Sequence, residues 1–263
     1  MDAAAREYQS TQVRIAAGVM ASVLRWWRTL AAPSLTSDPA GLYATYRGFV
    51  NDARTQSWTA GVEHHTRVRE LAEQPGTFRI GARDAGAEER ETATSFFANT
   101  ARVRRELGRG RLDDPAFLAA LDNHMDRAGS NLARDGGRLA ESGGREALHA
   151  ARESDRACIG YYRRTDDDPC GFCAMLAGRG LTYTAERNEG RRSRTWLDEQ
   201  DPEQYHRDCH CVTLPLFVGQ KFPPEDRERQ RMYARLWRDT PGTGAAQLRS
   251  YQELFKERRA ANG

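Results

Sequence analysis

Apolar residues recur at helical spacing along most of the chain. Val13, Ala17, Met20, Leu24, Trp27 and Ala31 alternate four- and three-residue steps. That spacing predicts a helix over residues 5–31 with the seam of a bundle or coiled coil, and self-association through it is one expectation. Trp26 and Trp27 are adjacent, so only one can lie on the seam, and the other is expected to face a partner. Pro33 ends this helix. Ser37-Asp38-Pro39 opens the next, with a capping residue and then a proline in the first turn. Leu42, Tyr46, Phe49 and Ala53 form its apolar face, and the pattern is expected to run to Leu71. His64 and His65 fall on this helix but point to different faces, so they cannot chelate one metal. Surface or partly buried positions are expected for both.

Residues 74–86 read as a glycine-containing connector, in which Phe78 and Ile80 form a short strand or dock the loop. Residues 87–107 read as a charged helix. Asp114-Pro115 starts another, with Phe117, Leu121, Met125, Ala128 and Leu132 on one stripe. Gly136-Gly137 and Gly143-Gly144 interrupt the stripe, so the helix is expected to weaken beyond residue 135. His124 and His149 are read as structural. Residues 158–164 and Val212–Phe217 read as strands. Pro223-Pro224 opens a helix containing Met232 and Leu236, Pro241-Gly242 ends it, and a last helix carries Leu248, Tyr251, Leu254 and Phe255.

The expected fold class is therefore mostly α with a small α+β zinc-stabilised module and a long helical N-terminal region. The expected division is 1–154 helical, 155–218 the zinc-binding module and 219–263 a helical tail.

Composition narrows the function. A length of 263 residues allows one or two domains with a sizeable core. Charged residues make up 29 % of the chain and mean hydropathy is −0.78. No run approaches the roughly 18 apolar residues of a spanning helix. The start, MDAAAREYQS, lacks the layout of a signal peptide, so no membrane partner is expected. A net charge of +3 is too small to imply wholesale nucleic-acid binding. Lys221 and Lys256 are the only lysines. The arginine excess suits phosphate and carboxylate forks, although GC-rich codon usage would give the same bias.

The candidate chemistry is concentrated between residues 166 and 217. Cys170-x2-Cys173 is followed, after 32 residues, by His206-x2-Cys209-x-Cys211. Two close ligand pairs joined by a loop suit a tetrahedral structural zinc site, and five candidates are present for four places. Cys170 and Cys173 would bind as a knuckle turning at Gly171. Cys209 is the third expected ligand, with His206 and Cys211 competing for the fourth place. His210 would point away from its neighbours. A redox dithiol at Cys170-Gly-Phe-Cys173 would require a preceding strand and a βαβ unit, and it would leave the second cluster unexplained. A zinc deaminase would require His-x-Glu, which no histidine supplies. Core thiols or a disulfide are the bland alternative. Cys158 lies outside the cluster and is read as a small buried residue, and Asp166–Asp168 as an acidic turn. Between the ligand pairs, Arg187, Arg191, Arg192 and Arg194 form a basic loop that would touch nucleic acid or an acidic protein, or simply be solvated.

Residues 155–218 resemble the Mu F-like minor head protein family of tailed bacteriophages. The resemblance rests on Cys170, Cys173, Leu176, Gly178, His206, Cys209, Cys211 and Pro215, while Gln204-Tyr205 stands where that family usually has prolines. It implies a minor capsid protein, present in few copies and associated with the portal. Such a protein acts in head assembly or in DNA packaging and ejection. Portal protein, major capsid protein and phage DNA are the implied partners. The implied location is the capsid interior or portal vertex, after assembly in the host cytoplasm. A capsid maturation protease or other phage enzyme is a second reading, but HExxH, GxSxG, P-loop and His-x-Glu signatures are absent and no enzyme is expected. A zinc-supported nucleic-acid-binding protein is a third.

Overall fold

The computed structural model describes residues 2–81, 83, 86–109, 113–165, 169–181 and 211–262. The described residues are mostly helical, with one small sheet. The elements are α1 (Asp2–Trp27), α2 (Ser34–Ser37), α3 (Pro39–Leu71), α4 (Gly86–Leu107), α5 (Pro115–Ser154), β1 (Cys158–Arg164), α6 (Gly171–Gly178), β2 (Val212–Phe217), α7 (Pro224–Asp239) and α8 (Gly244–Asn262). The chain forms two compact units. One comprises residues 10–60 and 82–144. The other comprises residues 1–9, 61–81 and 145–263. Among the described residues no helix is long and apolar enough to cross a membrane.

The first unit is a helical bundle. Val23, Trp27, Tyr46, Val50, Phe96 and Leu132 lie at its centre. The Trp27 indole N–H donates to the Met125 carbonyl at 2.9 Å, which satisfies the one polar atom of a large apolar anchor. The face of α1 that is buried differs from the expected seam. Gln12, Ala16, Val19, Val23 and Trp27 are buried, so the expected stripe is one residue out of register except at Trp27. Both stripes are apolar from residue 16 on, and the buried one begins with a polar residue, Gln12. Its side chain accepts from Ser57 Oγ at 2.6 Å, and Ser57 Oγ in turn accepts from the Gly144 N–H at 2.8 Å. Once hydrogen-bonded, such a residue can be buried, but it carries no hydrophobic signal. Trp26 is half-buried and packs edge-on against Phe49.

The glycine pairs do not weaken α5, which runs unbroken to Ser154. Interior glycines cost roughly 1 kcal/mol each relative to alanine. Here they allow close packing. A Cβ on Gly143 would lie 2.2 Å from the Arg54 carbonyl, and one on Gly137 would lie 3.1 Å from the Met20 thioether. A second buried polar network lies near the same helix. Asp135 Oδ2 accepts from Ser95 Oγ at 3.0 Å and from Asn99 Nδ2 at 2.7 Å.

The second unit is built around an antiparallel pair of strands. The register sets Tyr161 opposite Pro215 and Tyr162 opposite Leu214, with an irregularity between Cys158 and Gly160. Side chains alternate across a strand. Accordingly Tyr161 donates to the Leu148 carbonyl on one side. On the other, Tyr162 and Arg164 both reach Asp226 in the first turn of α7, with Tyr162 Oη donating at 2.9 Å and Arg164 Nε at 2.9 Å. Burial, and then the Asp226 carboxylate, push the Tyr162 phenol well above its ordinary range.

His64 and His65 are both buried, not at the surface. The His64 ring stacks on Tyr8 with centroids 4.4 Å apart. His65 lies edge-on to Phe78 and Phe217, at 5.0 and 5.2 Å, so the connector docks through Phe78. Asp155 Oδ2 accepts from His65 Nε2 at 3.0 Å and from Arg69 Nε at 3.0 Å, and its Oδ1 takes the Ala157 N–H. Arg69 also donates to the carbonyls of Gln74 and Pro75. The carboxylate thus ties the end of α3, the connector and the turn into β1 together.

Candidate metal centre

β1, α6 and the start of β2 bring three of the five expected ligands together. Cys173 and Cys211 are buried against each other, with the half-buried Cys170 beside them. Cys170 is the N-cap of α6 in an extended conformation, and its Sγ accepts the Cys173 N–H at 3.3 Å. The Cys-x2-Cys pair thus sits across the first turn of a helix. The N-cap sulfur replaces the carboxylate or hydroxyl that ordinarily satisfies an orphan N–H at a helix start. Across the cluster, Arg163 Nη1 lies 3.8 Å from Cys173 Sγ. Arginine at this position was not singled out from the sequence. Strand alternation places it on the same face as Tyr161, which is the signal that identifies it.

α6 is held on two sides. Ala174, Met175, Leu176 and Ala177 pack with Tyr233 of α7 and with Tyr251 and Phe255 of α8. The glycine at each end of α6 makes this possible. A Cβ on Gly171 would meet Gln252 Cα at 2.7 Å, and one on Gly178 would meet the Ala234 nitrogen at 3.0 Å. Leu176 and Gly178, singled out beside the cysteines, thus act as core and contact residues.

Cys209 and His206 lie outside the described residues, as do His210, Asp166–Asp168, Arg187, Arg191, Arg192 and Arg194. Among the described residues no three His, Cys, Asp or Glu side chains are close enough to hold a metal ion. The donor set nevertheless fits zinc in kind: thiols from two chain segments, close together in a largely buried setting. Cys158 stands apart from the cluster. It is buried as expected, and burial pushes its thiol up to about 11, which makes it a packing residue. His65 and Asp155 have the geometry of a base and its orienting carboxylate, but Phe78 and Phe217 flank the ring and it is fully buried.

A family model described as VG15 protein matches residues 1–238, which takes in the helical unit and the strand-containing unit up to the end of α7, the cysteine cluster included. The chain belongs to the VG15 protein family. That family is one of viral gene products, so this chain is of a viral kind. The match runs through the long helices as well as the cysteine module, whereas the Mu F-like resemblance covers residues 155–218 alone. No curated protein and no solved structure matches the chain.

Proposed function

We propose that this protein is a minor capsid protein of a tailed phage, associated with the portal and acting in head assembly or in DNA packaging and ejection. The observation that carries this reading is the gathering of Cys170, Cys173 and Cys211 by β1, α6 and β2 in a chain of a viral family. These are positions at which the chain resembles Mu F-like minor head proteins. In this reading a structural zinc is held by Cys170, Cys173 and Cys209, with Cys211 or His206 as fourth ligand. A closed four-ligand site stiffens the fold and leaves no open position for chemistry. The chain then works as a rigid adaptor, contacting portal protein and major capsid protein. The role of the residues themselves is to supply the thiols: the first turn of α6 orients Cys170, and Arg163 faces Cys173.

The test is co-expression with the portal protein of the same virus, followed by size-exclusion chromatography and by mass spectrometry of purified virions. Co-elution with portal and a few copies per virion are expected. Absence from virions together with no portal association would overturn the reading.

A further inference from the structure

The sequence of α7 places Arg227, Arg231 and Arg235 four residues apart, so they form one stripe along the helix. Met232 and Leu236 lie one position further round and form an apolar strip beside it. Lys221, Phe222 and Pro223 lead into the helix. Together these residues line an open groove of about 1180 Å³. Its described lining is chiefly apolar in surface, with cationic side chains along the apolar strip. Met232 is 41 % exposed although it is a large apolar side chain. Glu228 is the one carboxylate in the described lining. Among the described residues, none of Lys221, Arg227, Arg231 and Arg235 is engaged in an ion pair.

We propose that this groove receives an acidic amphipathic segment of a partner protein. Apolar side chains of the segment enter between Phe222, Met232 and Leu236, and its carboxylates meet the three arginines. The charge pattern supplies the complementarity, because arginines at helical spacing match carboxylates at the same spacing on a partner helix. Methionine in the apolar strip adapts to differently shaped apolar side chains. A nucleic acid fits less well. It would satisfy the cationic side chains, but it has no aliphatic side chains for the apolar strip. Phe222, the aromatic residue available for stacking a base, is already packed against the Tyr162 ring at 4.7 Å. This inference is independent of the capsid reading.

The experiment uses the purified full-length chain and a fluorescein-labelled helical peptide of about five turns, with glutamate at every fourth position and leucines beside them. Anisotropy is measured against the peptide, against a scrambled peptide of the same composition, and against oligo-dT. Saturable binding of the patterned peptide is expected. Its affinity should fall at least tenfold in the Arg227→Gln/Arg231→Gln/Arg235→Gln variant and at least threefold in Met232→Ser. These positions are exposed, and melting temperature is read on each variant to confirm folding. Equal binding of the scrambled peptide, or an affinity unchanged in either variant, would overturn the proposal. Oligo-dT binding that depends on the arginines but not on Met232 would assign the groove to nucleic acid instead.

Discussion

The two units of this protein solve the same problem with different means. The helical unit buries a broad apolar core around Trp27, Tyr46 and Phe96, and its buried polar side chains include the hydrogen-bonded groups at Gln12–Ser57 and Asp135. The strand-containing unit also buries apolar side chains, among them Leu148, Leu216 and Phe217, but it places titratable groups at its centres: the His65–Asp155–Arg69 group, the Tyr162–Arg164–Asp226 group and the three cysteines. A broad core tolerates changes in solvent chemistry, since hydrophobic burial has no proton or metal to lose. A unit held by ionisable groups is stable only while those groups keep their charge state and partners.

The sharpest way to separate the two is to remove metal. If the cysteines hold zinc, its binding energy is folding energy of that unit, on the order of 10 kcal/mol. Chelation should then expose the amides of 158–164 and 212–217 to hydrogen exchange while those of 121–140 remain protected. Unchanged protection in the strands would break the comparison.

The second test runs the other way. Trp27→Ala removes a buried indole and its hydrogen bond to Met125, and should cost about 3–5 kcal/mol in urea unfolding. The loss should appear first as faster exchange in 121–140. A loss below about 1 kcal/mol would mean that the bundle refills the space.

The third test uses acid. Burial first, and then the neighbouring His65, hold His64 down at about 3 from its ordinary value of 6.5. Burial likewise lowers His65, against the pull of Asp155. The unfolded chain therefore takes up protons near pH 6.5, and the folded unit resists them to much lower pH. Stability from these rings is full above pH 6.5 and falls as pH drops toward 3. At pH 4 the His64 contribution alone is a loss of about 3 kcal/mol. A His64→Phe variant should flatten this slope while keeping the stack on Tyr8. A slope that persists unchanged would place the titration elsewhere.

Much of the fold was legible in the sequence because helical periodicity, caps and prolines are local signals. The two strands and the helix starts at Pro39, Pro115 and Pro224 lie where those signals set them. What could not be read locally depended on neighbours distant in sequence. Gln12 belongs to the buried face only because Ser57 waits for it. Gly143 suits a helix only because the Arg54 carbonyl passes close by. The burial of His64 and His65 depends on Tyr8, Phe78, Asp155 and Phe217, which are spread over more than two hundred positions. At the cysteines, spacing offered five candidates, of which Cys170, Cys173 and Cys211 lie together among the described residues, while Arg163 emerged only with the strand.

The interleaving of the two units in the chain bears on synthesis. Once residue 144 has left the ribosome, every segment of the helical unit has been made. Residues 1–9 and 61–81 have been made too, yet the part of the other unit that shelters them, from residue 145 onward, has not. At about 5–20 residues per second, His65 waits on the order of ten seconds for Asp155 and Phe217. Through that interval the His65 ring lacks its carboxylate and one of its two aromatic neighbours, so nascent chains stalled between residues 144 and 217 are the species to which a chaperone should bind.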